Sequence, residues 1–121
     1  PTEIFDYLAA RVIACENAGI PRTRIAVDPG IGFGKGLDHN LSVMADLALF
    51  HGLGCPVLVG ASRKSFIGHL AGITTPRDRG PGSLSGMLWA VGQGVQMVRV
   101  HDVAAAAQAL AVWQGIAANE G

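Results

Sequence analysis

The chain has 121 residues, half of them hydrophobic, and nine basic against nine acidic side chains give a formal net charge of zero. This length suits one domain with a buried core, and the balanced charge gives no electrostatic reason to expect nucleic acid or an acidic membrane as a partner. No leader-like stretch opens the sequence, and no apolar run approaches the roughly 20 residues of a membrane span. We therefore expect a cytoplasmic protein that binds a small neutral or locally anionic molecule, with no nucleic-acid or membrane partner.

The first half of the chain alternates helical and strand patterns. Residues 2–18 repeat apolar side chains at helical spacing, with Thr2 as a possible N-cap and Gly19 as the stop. The β-branched run at 24–28 lacks polar alternation, which is typical of a strand covered on both faces. After a glycine-rich loop, Asp38 can cap a second amphipathic helix.

The second half repeats the alternation, and its last helix has Asp102 as the expected cap. The predicted elements are a strand at 56–61, a short helix at 65–72, a loop at 73–82, a helix at 83–94, a strand at 96–101 and an Ala-rich helix at 103–117. The two cysteines, Cys15 and Cys55, form no C-x-x-C pair, so we expect buried reduced thiols rather than a disulfide framework or a zinc site.

The three predicted strands are separated by crossovers long enough for parallel pairing, which gives an α/β sheet with helices on its faces. Ligands of such sheets bind at the carboxyl ends of the strands. Here those ends read Asp28-Pro29-Gly30, Ala61-Ser62-Arg63-Lys64-Ser65 and Arg99-Val100-His101-Asp102. Neighbouring strands lie about 4.8 Å apart, so one small molecule could touch all three ends if the strands are adjacent.

The loop "DPGIGFGK", residues 28–35, fits neither a Walker A loop nor the dinucleotide-binding fingerprint, because both need glycines at other positions. Its glycines, Gly30, Gly32 and Gly34, permit positive φ angles and close approach of the backbone. Phe33 is then either presented at the tip, where it could stack on a flat ligand, or folded back into the core. The loop alone leaves both possibilities open.

The segments "DPGIGFGK", "VGASRKSFIG" and "VRVHD", with "GSL" between the last two, strongly resemble dihydropteroate synthase over essentially the whole chain. That family is a (β/α)₈ barrel, which joins a pterin pyrophosphate to para-aminobenzoate in folate synthesis and releases pyrophosphate with Mg²⁺. The resemblance implies that residues 1–121 are the C-terminal part of a pterin-binding TIM-barrel domain. More specifically, it implies that they form the last three βα units of the (β/α)₈ barrel.

The resemblance also implies roles for the residues at the strand ends. The pterin is assigned to Asp28, Gly60, Lys64 and Arg99, and para-aminobenzoate to Phe33, Arg63 and Ser65. Arg99 and His101 are the implied pyrophosphate ligands, and Lys64, Arg99 and His101 are the implied catalytic residues. No metal ligand is expected in this chain, because the Mg²⁺ that accompanies the pyrophosphate is expected to be held mainly by the N-terminal half of the barrel.

Without the resemblance, each of these side chains has an ordinary structural interpretation. Asp28 could cap the turn after its strand, Lys64 could be solvated, Ser65 could be a helix N-cap, and His101 could be a structural hydrogen bonder. Three further histidines, which no motif supports, are expected to be structural or solvated: His39, His51 and His69. The stretch "TPRDRGPGSLSG" matches the family more loosely, so Arg77 and Arg79 receive no role.

A barrel of this family needs about 250 residues and eight strands, whereas three strands are predicted here. We expect the complete enzyme to be a homodimer and a sulfonamide target. Two alternatives stay open: a non-catalytic or partner-dependent half-barrel, and a pterin-binding methyltransferase domain. The methyltransferases share the barrel, but they are not expected to combine the Ser-Arg-Lys and Arg-Val-His motifs.

Overall fold

The structure, a computed structural model, describes residues 1–33 and 36–119. The helices in these residues are α1 (Thr2–Asn17), α2 (Leu37–Ala45), α3 (Ser65–Ala71), α4 (Gly80–Gly92) and α5 (Val103–Ala117). The strands are β1 (Leu58–Val59) and β2 (Met97–Val98), and 3-10 segments lie at Arg22–Arg24, Leu47–Leu53 and Pro76–Asp78. The described part of the chain is therefore a helix-rich α/β fold.

The predicted parallel arrangement of strands is confirmed. β1 pairs with β2 in parallel, with Leu58 opposite Met97. A separate parallel bridge joins Val27 to Val57, and the Leu58 amide donates to the Val27 carbonyl at 2.8 Å. The segment around β1 therefore lies between the other two, and all three segments run in the same direction.

The strands are shorter than the predicted runs at 24–28, 56–61 and 96–101. Arg22–Arg24 forms a 3-10 turn, so the first predicted strand keeps only its bridge at Val27. The ladder between β1 and β2 has two residue pairs, Leu58–Met97 and Val59–Val98, and residues 60–61 and 99–101 of the predicted runs lie beyond it. A ladder forms only where a neighbouring segment supplies hydrogen-bond partners.

The helix ends correct three expectations. Thr2 lies inside α1, whose N-cap is Pro1. Asp38 lies in the first turn of α2, and the N-cap is Gly36, without a side-chain cap bond. The helix predicted at 83–94 begins earlier, at Gly80, because a proline fits the first turn of a helix, where no amide partner is lost. In contrast, the Asp102 cap is confirmed: its Oδ1 accepts from the Ala105 amide at 3.0 Å.

The core lies between the sheet and the helices that cover it. Its largest fully buried apolar side chains are Phe50, Ile31, Leu47, Val43, Val57 and Val59. Helix α1 packs onto this core through the face that its periodicity predicts, and Phe5 meets Phe50 with ring centroids 6.5 Å apart. Both cysteines are free thiols; Cys55 is buried and Cys15 is half-buried. Within residues 1–33 and 36–119, every helix is too short or too polar to cross a membrane.

Candidate functional site at the strand ends

The three strand-end motifs meet at one edge of the sheet. Because the strands are parallel and adjacent, their carboxyl ends lie side by side. Side chains of the middle motif reach both neighbours. The Lys64 Nζ donates to the Ile31 carbonyl in the first loop at 2.7 Å, and the Ser62 Oγ lies 2.9 Å from the Nδ1 of His101 in the third motif.

Lys64 is held in place rather than freely solvated. Besides its bond to Ile31, its ammonium lies 4.0 Å from the centroid of the Phe33 ring, which is a cation–π contact. Burial lowers the pKa of Lys64 below its ordinary value, and the nearby positive charge of Arg99 lowers it further, while the Asp28 carboxylate acts in the opposite direction. The site therefore contains a cation that a ligand with negative charge or acceptor groups would stabilise.

The glycine loop presents Phe33 outward. This side chain is 67% exposed, so the interpretation of Phe33 as a core residue is wrong. Gly30 and Gly32 have φ angles of 75° and 85°, as predicted, and Gly34 lies outside the described residues. The Gly32 amide donates to the Oδ1 of Asn40 at 2.9 Å, and Asn40 is only 2% exposed. A buried side chain of α2 therefore fixes the loop that carries Phe33.

Asp28 caps its own turn. Its Oδ1 accepts from the Gly30 amide at 2.8 Å, as the structural interpretation predicts. This bond uses one carboxylate oxygen of an exposed side chain, so the same residue can turn its other oxygen to a ligand. The capping function and the predicted pterin contact are thus compatible.

Arg63 and Ser65 flank Lys64 and have different environments. Arg63 has a φ angle of 60°, a left-handed conformation that few non-glycine residues adopt. Ser65 is the first residue of α3 and is exposed; the N-cap is Lys64 and there is no side-chain cap bond, so the N-cap interpretation of Ser65 is wrong. The Ser65 hydroxyl lies on the surface beside Lys64, where a ligand could reach it.

Arg99 and His101 complete the edge. The Arg99 amide donates to the Val59 carbonyl at 2.9 Å, which anchors the third motif to β1. Gly60 lies beside it: a Cβ at position 60 would be 3.6 Å from the Arg99 Cβ. Arg99 and His101 are both exposed. A cavity of about 350 Å³ adjoins His101 and extends between the starts of α4 and α5.

Sequence reasoning missed four side chains that support the site: Asn40, Ser62, Arg79 and Ser83. Each bonds a residue at least eight positions away in the sequence, and two of them, Ser62 and Ser83, lie in segments that resemble the family. Of the histidines that no motif supports, His51 bonds the Gln93 carbonyl at 2.8 Å, while His39 and His69 are exposed, in agreement with their predicted structural or solvated character.

The chain matches the family described as "Pterin binding enzyme" over residues 2–101. It is 48% identical over 118 residues to the dihydropteroate synthase of Neisseria meningitidis serogroup C, a match that covers 97% of this chain and 42% of that protein. These matches confirm the resemblance of the motifs to dihydropteroate synthase.

Two solved structures have the same fold over nearly the whole chain. Dihydropteroate synthase from Stenotrophomonas maltophilia, with imidazole in its active site, has a TM-score of 0.97 and 41% identity and covers 99% of this chain and 45% of its own. The Xanthomonas albilineans synthase in complex with 7,8-dihydropteroate has a TM-score of 0.95 and 44% identity, with coverage of 97% and 45%. The chain thus spans less than half the length of these relatives. It belongs to the family of pterin-binding enzymes.

Proposed function

We propose that this chain supplies the C-terminal part of a dihydropteroate synthase. The enzyme joins 6-hydroxymethyl-7,8-dihydropterin pyrophosphate to para-aminobenzoate and releases 7,8-dihydropteroate and pyrophosphate in folate synthesis. The main support is the meeting of three motifs at one sheet edge, where Lys64 bonds the first loop and Ser62 bonds the third motif. A relative that shares this fold was solved with 7,8-dihydropteroate.

The pterin is proposed to bind Asp28, Lys64 and Arg99 beside Gly60. A carboxylate can accept two parallel hydrogen bonds from the guanidine-like edge of a pterin, as it does from arginine. The Lys64 ammonium donates to ring acceptors, and the flat guanidinium of Arg99 can stack on the ring. Gly60 leaves the space beside Arg99 free of a side chain.

Para-aminobenzoate is proposed to bind Phe33, Arg63 and Ser65. The exposed ring of Phe33 can form a wall for the benzoate ring, and its contact with Lys64 fixes its position relative to the pterin side. The Ser65 hydroxyl and the Arg63 guanidinium are donors for the carboxylate.

The proposed reaction needs no nucleophile from the protein. The bond between the pterin methylene carbon and the pyrophosphate oxygen breaks, and its electron pair leaves with the pyrophosphate. The amine nitrogen of para-aminobenzoate then attacks the resonance-stabilised cation and loses a proton to water. Arg99, His101 and Lys64 stabilise the departing anion and hold the reactants in place, so catalysis is positioning plus charge stabilisation.

The part of the chain that the structure describes does not form a magnesium site. Within residues 1–33 and 36–119, no three His, Cys, Asp or Glu side chains lie close enough together to hold a metal ion. Mg²⁺ is proposed to enter with the pyrophosphate and to be held mainly by residues of the N-terminal half of the barrel.

The remaining barrel strands are proposed to come from the rest of the enzyme, with residues 1–121 as its last three βα units. The complete enzyme is proposed to be a cytoplasmic homodimer and a sulfonamide target. The exposed apolar side chains Leu70 on α3 and Trp89 on α4 agree with a surface that is covered in the assembly. Sedimentation of the complete protein as a monomer would contradict the dimer.

Turnover by the complete natural protein that contains this chain tests the function. We expect dihydropteroate and pyrophosphate to form in equal amounts, and we expect Lys64→Ala to lower kcat/KM by at least about 10²-fold without loss of folding. His69→Gln is the control, because this histidine is exposed on α3, the helix that follows Lys64, and belongs to no motif. A folded wild-type protein without turnover would refute the proposal, and an active Lys64→Ala variant would refute the role of Lys64.

A further inference from the structure

The turn that carries Arg63 and Lys64 is held from outside the strand-end motifs by two side chains, Arg79 and Ser83. Arg79 precedes α4 and Ser83 lies in its first turn. The Nη1 of Arg79 donates to the Arg63 carbonyl at 2.9 Å, and the Ser83 Oγ accepts from the Arg63 amide at 2.8 Å. Both backbone polar groups of Arg63 are therefore bound by the same neighbouring segment.

The two holding side chains are themselves fixed. The Arg79 guanidinium also donates to the carbonyls of Ile73 and Thr74, at 3.0 and 3.1 Å, and so joins the loop after α3 to the turn before it. The Ser83 Oγ donates to the Arg79 carbonyl at 2.6 Å. Since a guanidinium is planar and always charged, three carbonyl acceptors fix its orientation.

Gly68 of α3 leaves space for the Arg79 guanidinium and the Ile73 carbonyl. A Cβ at Gly68 would lie 2.5 Å from the Arg79 Nη2 and 2.6 Å from the Ile73 carbonyl oxygen. Any larger side chain at position 68 must therefore displace the arginine or the backbone. The Arg79 guanidinium therefore occupies the space that a side chain at position 68 would fill.

The held turn has an unfavourable backbone conformation and a directed side chain. Arg63 has a positive φ angle, which L residues seldom adopt unless their surroundings impose it. Lys64 follows at once, and its side chain must extend to the Ile31 carbonyl and the Phe33 ring. A rotation of the Arg63 peptide would move the base of the Lys64 side chain away from both contacts.

We propose that Arg79 and Ser83 are positioning residues of the synthase site, which act by fixing the Arg63–Lys64 turn and so the placement of Lys64. They are 16 and 20 residues distant in sequence from Arg63, to which they bond. This inference rests on the proposed function, since it assigns to Arg79 an effect on turnover through Lys64.

The test combines kinetics with local amide exchange on the complete protein. Arg79→Lys keeps the charge but cannot donate to three carbonyls at once, so we expect kcat/KM to fall about tenfold to a hundredfold. In Arg79→Lys, hydrogen exchange at the Arg63 and Lys64 amides should accelerate, while core amides such as that of Phe50 stay protected. Arg11→Lys is the matched control, because Arg11 is exposed on α1, remote in sequence from the turn.

A second pair of variants covers the case in which Arg79→Lys does not fold. Ser83→Ala should accelerate the same two amides and lower kcat/KM, whereas Ser83→Thr, which keeps the hydroxyl, should restore both. Faster exchange with unchanged kcat/KM would overturn the positioning role, and unchanged exchange would overturn the structural link itself. If the wild-type protein makes no dihydropteroate, the proposed function fails, and exchange alone still decides whether the two side chains hold the turn.

Discussion

At the scale of single residues, Lys64 of the candidate site has competing electrostatic neighbours. Lys64 is partly removed from water and lies near the positive charge of Arg99, and both effects disfavour its protonated form. Asp28 partly offsets them. The sequence predicts that these three residues share an edge, but it does not predict the burial of the ammonium, which depends on the Phe33 ring and the Ile31 carbonyl.

The pKa of Lys64 is expected below its ordinary value, and Arg99→Gln should raise it because a neighbouring positive charge is removed. In the folded state Lys64 then binds fewer protons than in the unfolded state, so this site makes stability increase with pH between the lowered and the ordinary pKa. NMR titration of labelled lysine, assigned with Lys64→Arg, measures both values. A Lys64 pKa that does not move in Arg99→Gln would contradict this electrostatic coupling.

Gly32 is expected to matter for placement of Lys64 as well as for backbone conformation. An alanine at position 32 would have to adopt a φ angle of 85°, and its Cβ would lie 2.8 Å from the Lys64 Cδ. Gly19→Ala is a matched control, since Gly19 has a φ angle of 96° and nothing within 4 Å of its Cβ position. Each variant should lose about 1 kcal/mol of stability, but only Gly32→Ala should lower turnover.

Denaturant unfolding and steady-state kinetics on the same preparations separate the two effects. Equal turnover by Gly32→Ala and Gly19→Ala would show that Gly32 is needed only for the backbone conformation and not for the placement of Lys64.

At the scale of elements, helices were predicted better than strands. Helix α5 begins and ends where its pattern predicts, because a side-chain cap and a run of alanines define it locally. The strands were predicted too long, because a ladder exists only where a neighbouring chain segment supplies partners, and sequence patterns do not carry that information. The hydrogen bonds from Arg79 and Ser83 to the Arg63 backbone could not be predicted either, since they join residues that are distant in the sequence.

The helix caps give a test at this scale. Asp102→Ala should lower the free energy of unfolding by about 1 kcal/mol, because it removes the hydrogen bond that the Ala105 amide donates to Asp102. Asp38→Ala should lower the free energy of unfolding by only a few tenths of a kcal/mol, because Asp38 lies within the first turn of α2 and contributes there through the helix dipole. Thermal or urea unfolding of both variants measures the difference, and equal losses would contradict the assignment of the caps.

At the scale of the whole molecule, three parallel segments bring three distant motifs to a single edge. This could be predicted from sequence, because parallel α/β units place every strand's carboxyl end on the same side. The number of strands that complete the sheet could not be predicted from this sequence, since the chain covers only 42–45% of the length of the relatives compared. The outer segments at Val27 and β2 are where further strands of a barrel would pair.

A crystal structure of the complete protein with 7,8-dihydropteroate bound tests the central claim most directly. We predict that the pterin ring lies within hydrogen-bond distance of Asp28 and Lys64, and that the benzoate end lies between Phe33 and Ser65. Dihydropteroate bound away from this edge, or bound with the Lys64 ammonium out of hydrogen-bond reach of the ligand, would contradict the account.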